Sequence, residues 1–106
     1  METWQDASAS ERRQFELISM IFSNHPKLLD FFFDPFLPRI CGDPVEVIEE
    51  AGCFSSGEQV LIRVALDLWS RSGDTKICDV FERLDQDNLN KVLKALMNWY
   101  RSGSAN

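Results

Sequence analysis

Side chains capable of bond-making chemistry are few in this chain and widely separated. His25 is the only imidazole among the 106 residues, and no serine, cysteine or carboxylate stands beside it in a catalytic motif. A glycine-rich loop of the phosphate-binding type is also absent from the sequence. Carboxylates are numerous, but nothing marks out one pair for acid–base catalysis. The sequence therefore predicts a protein that is not an enzyme and that uses no cofactor.

The cysteines are the other candidates for chemistry. Cys41, Cys53 and Cys78 are odd in number, and their spacings of 12 and 25 residues do not form a disulfide framework. Zinc could in principle use all three with His25, but no two of these ligands share the short C-x-x-C or H-x-x-H loop with which small sites form. We therefore expect buried free thiols and no metal site.

The elements that position these side chains are predicted to be helices. Apolar residues recur at three- and four-residue spacing, without strand-like alternation of useful length. Residues 8–11 and 55–58 are capping boxes, in which a serine hydroxyl and a glutamate three residues later bind free backbone N–H groups. The pattern predicts an all-α protein of about six short helices around one buried helix, residues 56–71. Gly73 is expected to end that helix.

Two further helices, residues 76–83 and 86–101, carry apolar stripes at helical spacing. The stripe of the shorter helix comprises Ile77, Val80, Phe81 and Leu84. The stripe of the final helix comprises Leu89, Val92, Leu93, Leu96 and Tyr100. Because each stripe follows one face, both are expected to pack into the core.

The domain organisation follows from this order of elements. Residues 1–106 are expected to form a single domain, with flexible ends at 1–7 and 102–106. Residues 8–54 form an acidic helical layer with a Phe-rich break. Residues 55–101 form a helix-turn-helix-like unit of three helices without a wing, which in outline resembles a winged-helix core.

The charge is concentrated in the first half of the chain. Residues 1–54 carry ten acidic and four basic side chains, whereas residues 55–106 carry seven of each, so the net charge of −6 belongs to the first half. No apolar run reaches the roughly 18 residues of a membrane span, and no membrane partner is expected. The N-terminal residues lack the features of a signal peptide, which predicts a cytoplasmic protein.

Two features of the first half are candidates for partner binding. The first is a cluster of acids in the short third helix: Glu46, Glu49 and Glu50. The second is the Phe-rich break at residues 31–37, whose rings either wrap into the core or form an exposed aromatic patch. Phe32 and Phe36 are the predicted partner contacts there, and Trp4 and Trp99 are further candidate anchors.

The leading functional hypothesis is a non-catalytic protein that binds another macromolecule through protein–protein contacts. An acidic helical adaptor, regulator or inhibitor would meet a partner with a basic surface, or a second copy of itself. The alternative is a DNA-binding regulator that uses a polar strip of the final helix: Lys91, Lys94, Asn98 and Arg101. Against this alternative, Asp85 and Asp87 stand at the start of that helix, where they would face DNA phosphates unfavourably.

Overall fold

The computed structural model describes residues 7–36 and 39–103, with side chains as far as residue 101. In these ranges the chain forms helices and no strand, which confirms the predicted all-α class. The helices are α1 (Ala9–Ile21), α2 (Pro26–Phe32), α3 (Pro44–Glu50), α4 (Ser56–Ser70), α5 (Ile77–Arg83) and α6 (Gln86–Gly103), with a 3-10 turn at Ala51–Cys53. None of the described helices has both the length and the hydrophobicity for crossing a bilayer.

The two capping boxes start the helices that the sequence assigned to them. Ser8 Oγ accepts from the backbone N–H of Glu11, and the Glu11 carboxylate accepts from the backbone N–H of Ser8. Ser55 and Glu58 make the same reciprocal pair at the start of α4. The backbone hydrogen bond from Ser55, with that from its hydroxyl, lowers the pKa of Glu58.

Helix α4 is the centre of the core. It packs against α1, α2, α3, α5 and α6, and α1 also lies along α6. The buried residues of α4 are Val60, Leu61, Ile62, Val64, Ala65, Leu66 and Leu68. A helix that is apolar around most of its circumference is stable in water only where neighbours cover it, and here they do so on several sides.

The narrow polar side of α4 binds the loop that leads to α5. Arg63 Nη1 donates to the carbonyl oxygen of Gly73 at 3.0 Å. The Asp67 carboxylate accepts from the backbone N–H groups of Gly73 at 2.8 Å and Thr75 at 3.1 Å. Hydrogen bonds to an ionised acceptor are stronger than neutral ones, so this loop is held against α4 and determines where α5 begins.

Gly73 has a different role from the one predicted for it. The left-handed residue that ends α4 is Arg71, with φ 59°. Gly73 instead lies so close to α4 that a Cβ atom would collide with the carbonyl oxygen of Arg63. The prediction that Gly73 ends α4 is therefore wrong, and the glycine is needed for close approach to the helix.

The predicted stripes of α5 and α6 are buried only in part. Val80, Leu84 and Val92 belong to the core, whereas Ile77, Phe81, Leu93, Leu96 and Tyr100 are exposed. The expectation of complete burial is wrong for these five because α6 is covered by α1 and α4 on one side only, and α5 packs chiefly on α4.

Leu66→Ala should lower the free energy of unfolding by about 2–5 kcal/mol, since the Leu66 side chain is completely buried. Leu96→Ala should lower it by only about 1 kcal/mol, because Leu96 is 36% exposed. Urea denaturation measures both. An equal loss in the two variants would contradict the observed placement of Leu96 at the edge of the core.

Gly73→Ala should lower the free energy of unfolding by about 2–3 kcal/mol, because the new methyl group must displace the backbone of α4 or the loop. Gly52→Ala is the matched control, since nothing lies within 4 Å of its Cβ position. That variant should be neutral or more stable by about 0.5 kcal/mol. Thermal unfolding of the pair tests the close approach, and equal melting temperatures would refute it.

Candidate interaction surfaces

The Phe-rich break divides between the core and the surface. Phe32 is 0% exposed and Phe33 is also buried, with its ring centroid 4.9 Å from that of Phe32 and 5.3 Å from that of Trp69. Phe36, in contrast, is 76% exposed. The prediction that Phe32 contacts a partner is therefore wrong, because its ring is enclosed by the core, and Phe36 alone of the two is accessible.

Backbone hydrogen bonds hold the loop that carries Phe36. The N–H of Asp34 donates to the carbonyl oxygen of Arg39 at 2.9 Å. The N–H of Cys41 donates to the carbonyl oxygen of Phe32, also at 2.9 Å. Within this loop, the N–H of Phe36 donates to Asp34 Oδ1 at 2.8 Å. The Asp34 carboxylate also pairs with Arg39 at 3.5 Å. The ring of Phe36 thus projects from a hydrogen-bonded loop.

The predicted acidic cluster lies on the surface of α3. Asp43, Glu46, Glu49 and Glu50, together called the acidic surface, are all exposed. Asp43 is the N-cap of α3, and its Oδ1 accepts from the backbone N–H of Glu46 at 3.0 Å. Within the described ranges, no lysine or arginine forms an ion pair with these four carboxylates. Their negative charges are therefore unneutralised by a neighbouring base.

The neighbouring carboxyl groups of the acidic surface alter the pKa of Glu46. Its pKa is raised, first by a hydrogen bond with the Asp43 side chain and then by the charge of Asp43, with smaller contributions from Glu50 and Glu49. A like charge nearby disfavours the ionised form of a carboxyl group. A positively charged group placed on this surface would relieve that repulsion.

The cysteines are exposed, which corrects the expectation of buried thiols. Partial burial raises the pKa of the Cys41 thiol, and the charges of Asp34 and Glu50 raise it further, while the charge of Arg39 lowers it. A thiol with a raised pKa is a poor nucleophile at neutral pH. In the described part of the chain, no three His, Cys, Asp or Glu side chains are grouped to hold a metal ion.

His25 has a structural contact rather than a catalytic neighbour. Its Nε2 lies 3.0 Å from Asn88 Oδ1, across the junction between the start of α2 and the first turns of α6. The amide of Asn24 donates to Asp87 Oδ2 at 3.3 Å in the same region. These contacts attach the end of α1 to the beginning of α6.

The polar strip of α6 is divided by the packing of α1. Lys91 is only 18% exposed and forms an ion pair with Asp87 at 3.0 Å. Asn98 is half-buried and its amide lies 3.8 Å from a methionine sulfur of α1. Lys94 and Arg101 are exposed. The structure thus leaves two of the four predicted DNA contacts on the surface.

An apolar surface that the sequence reasoning did not identify covers the outer sides of α5 and α6. This α5–α6 face comprises seven exposed side chains: Ile77, Phe81, Leu93, Leu96, Met97, Trp99 and Tyr100. Ile77, Leu96 and Trp99 border a cleft of about 210 Å³ between α4, α5 and α6. The sequence does contain a signal, because Leu93, Met97 and Tyr100 form a second stripe beside the buried one of α6. Trp4, the other predicted aromatic anchor, lies outside the described residues.

The acidic surface and the α5–α6 face lie on different sides of α4. Gln59 and Ile62 of α4 line a small cavity with Ile48 of α3. Val64 and Leu68, which project from another side of α4, line the cleft with α6. Contact with one surface therefore leaves the other accessible.

Comparison with protein-family models, with curated proteins and with solved structures finds no match to this chain. The functional argument therefore rests on the geometry and charge of these surfaces.

Charge removal should lower the pKa of Glu46 toward its ordinary value. Asp43→Asn should have the larger effect and Glu50→Gln the smaller, in the order of their contributions. Because folding raises this pKa, the proton-linked contribution of Glu46 favours the folded state at low pH and is lost as the pH rises through the folded pKa.

Carbon-detected NMR titration of the Glu46 carboxyl measures the change. Glu16→Gln is the control, since Glu16 is an exposed acid of α1 that does not contribute to this shift. An unchanged pKa in both Asp43→Asn and Glu50→Gln would contradict the repulsion.

Proposed function

We propose that this protein is a non-catalytic binding protein that engages a partner with a basic surface, as an adaptor, regulator or inhibitor. The observation that supports this is the acidic surface of α3, where none of the four exposed carboxylates forms an ion pair in the described ranges and the other three raise the pKa of Glu46. A partner bearing lysines or arginines supplies the missing positive charge. Complementary charge also accelerates association and favours partners of the correct sign.

Phe36 provides the apolar part of the proposed contact. Its ring is 76% exposed, and its backbone N–H is held by Asp34 Oδ1. Burial of such a side chain contributes about 1.5–3 kcal/mol. Charged groups around an aromatic anchor are a common composition of protein-binding sites, in which the anchor supplies affinity and the charges supply orientation.

The DNA-binding alternative has less support. In helix-turn-helix proteins the N-terminal residues of the recognition helix approach the bases, and in α6 Asp85 and Asp87 occupy that end. The outward side of α6 also exposes the apolar side chains of Leu93, Met97 and Tyr100 next to Lys94 and Arg101, whereas a DNA-contacting helix presents mainly polar groups. DNA binding remains an outcome of the test.

The charge-reversed variant Glu46→Lys/Glu49→Lys/Glu50→Lys should bind a lysine- and arginine-rich peptide at least about tenfold more weakly than the unmodified protein. Phe36→Ala should weaken binding by a smaller factor if the peptide also contains an apolar residue. Isothermal titration calorimetry measures both. In buffers of different ionisation enthalpy near the pKa of Glu46, binding should release protons, because a cation lowers that pKa.

The control variant Glu16→Lys/Asp30→Lys/Glu82→Lys has the same net charge as the charge-reversed variant of α3. It leaves the acidic surface intact, because all three residues are exposed outside that surface. It should bind the peptide like the unmodified protein apart from a general salt-dependent decrease. Equal loss in both triple variants would show that net charge alone is recognised. That result, or no binding of the peptide at all, would overturn the proposal.

A mixed-sequence DNA duplex, titrated at low and moderate salt, provides the competing arm. Salt-dependent binding that disappears in Lys94→Glu/Arg101→Glu would favour the DNA-binding alternative and reject the proposed function.

A further inference from the structure

The α5–α6 face is larger than an ordinary apolar patch. Its seven side chains have exposures between 36% and 76%. Since aromatic side chains have roughly 150–250 Å² of surface each and the aliphatic ones somewhat less, the exposed parts add up to about 700 Å². The largest patch of a typical monomer is about 300–600 Å², and one partner of a standard interface buries about 800 Å². The area thus matches one side of a stable protein–protein interface.

The shape of the face contains both a ridge and a groove. Leu93, Met97 and Tyr100 follow one another at four- and three-residue spacing and form a ridge along α6. Beside them is the cleft bordered by Ile77 and Trp99. In a dimer with a twofold axis, the ridge of each copy can pack against the apolar surface that lies beside the ridge of the other copy. Such an interface is self-complementary, because both copies use the same residues.

The charge around the face also fits a second copy. Residues 55–106 are electrically balanced, so the net charge of −6, which lies in the first half, does not oppose contact between the two second halves. Along α6 the exposed charges carry both signs, with Asp85 and Asp87 at the start and Lys94 and Arg101 toward the end, so no single sign of charge opposes the contact.

We infer that the α5–α6 face is the interface of a homodimer with twofold symmetry. The apolar area supplies the driving force, and the balanced charge of the second half does not oppose the contact. Because α3 packs on another side of α4, the dimer carries two accessible acidic surfaces. A partner with repeated basic sites would then be bound at two points, which raises its apparent affinity without any new contact. The dimer itself does not depend on the function proposed for the acidic surface.

Sedimentation velocity over a wide concentration range tests the dimer. The expected species has twice the 12.2 kDa mass of one chain. Met97→Glu/Tyr100→Glu should raise the dimer dissociation constant at least about 100-fold, because it buries charges at the centre of the face. Val45→Glu is the matched control, since Val45 is an equally exposed apolar residue of α3 outside the face. It should leave the dimer intact, and circular dichroism checks that every variant is folded.

A monomer at every concentration would overturn the inference. So would a dimer that persists in Met97→Glu/Tyr100→Glu, or open-ended polymers, which a closed twofold interface does not form.

The dimer and the function proposed for the acidic surface can be tested independently of each other. The monomeric variant Met97→Glu/Tyr100→Glu should retain the intrinsic affinity of each chain for the basic peptide. The variant Glu46→Lys/Glu49→Lys/Glu50→Lys should remain dimeric. Loss of peptide binding alone would reject the function of the acidic surface, whereas loss of self-association alone would reject the dimer.

Discussion

The attachment of the α4–α5 loop to α4 is the interaction on which the arrangement of the second half depends. The Asp67 carboxylate accepts two backbone N–H donors from the loop, and Arg63 donates to the Gly73 carbonyl. Helix α5 has only seven residues and packs chiefly on α4, so it lacks the contacts to orient itself. Once this loop holds α5 beside α4, and α1 and α4 hold α6, the outer sides of α5 and α6 lie together and uncovered. The α5–α6 face is a consequence of that placement.

Charge and apolar surface are separated in this fold. The acids without basic neighbours are on α3, in the first half of the chain, whereas the exposed apolar side chains are on α5 and α6, in the balanced second half. A large apolar face next to a strong like-charge field would be poorly suited to self-association, because repulsion between copies would oppose the hydrophobic contact. With α4 between them, the two surfaces are separated, so the dimer inferred from the α5–α6 face would leave the acidic surface accessible.

Part of the candidate site could be read from the sequence. Glu46, Glu49 and Glu50 were found because Asp43 and Pro44 begin a short helix, and residues three and four apart on a helix are neighbours. Phe32 and Phe36 could not be distinguished, because the direction of each ring depends on the hydrogen bonds between residues 32–34 and 39–41. The α5–α6 face was missed for a related reason. Periodicity indicates which residues of a helix share a side, but not whether another element covers that side.

Local interactions explain what the sequence by itself determined. A capping box joins groups that are only three residues apart, so the sequence predicted the N-terminal ends of α1 at Ser8 and α4 at Ser55. The central place of α4 could be predicted because its apolar residues cover most of the helix, whichever elements surround it. Tertiary structure decided the rest, because burial and close approach join residues that are distant along the chain. The side-chain amide of Gln14 reaches the carbonyl oxygen of Leu68, 54 residues away, and Gly73 approaches the backbone of Arg63 on another element. No pattern within one helix contains contacts of this kind, and for the same reason the burial of Phe32 and the exposure of Tyr100 became known only from the tertiary structure.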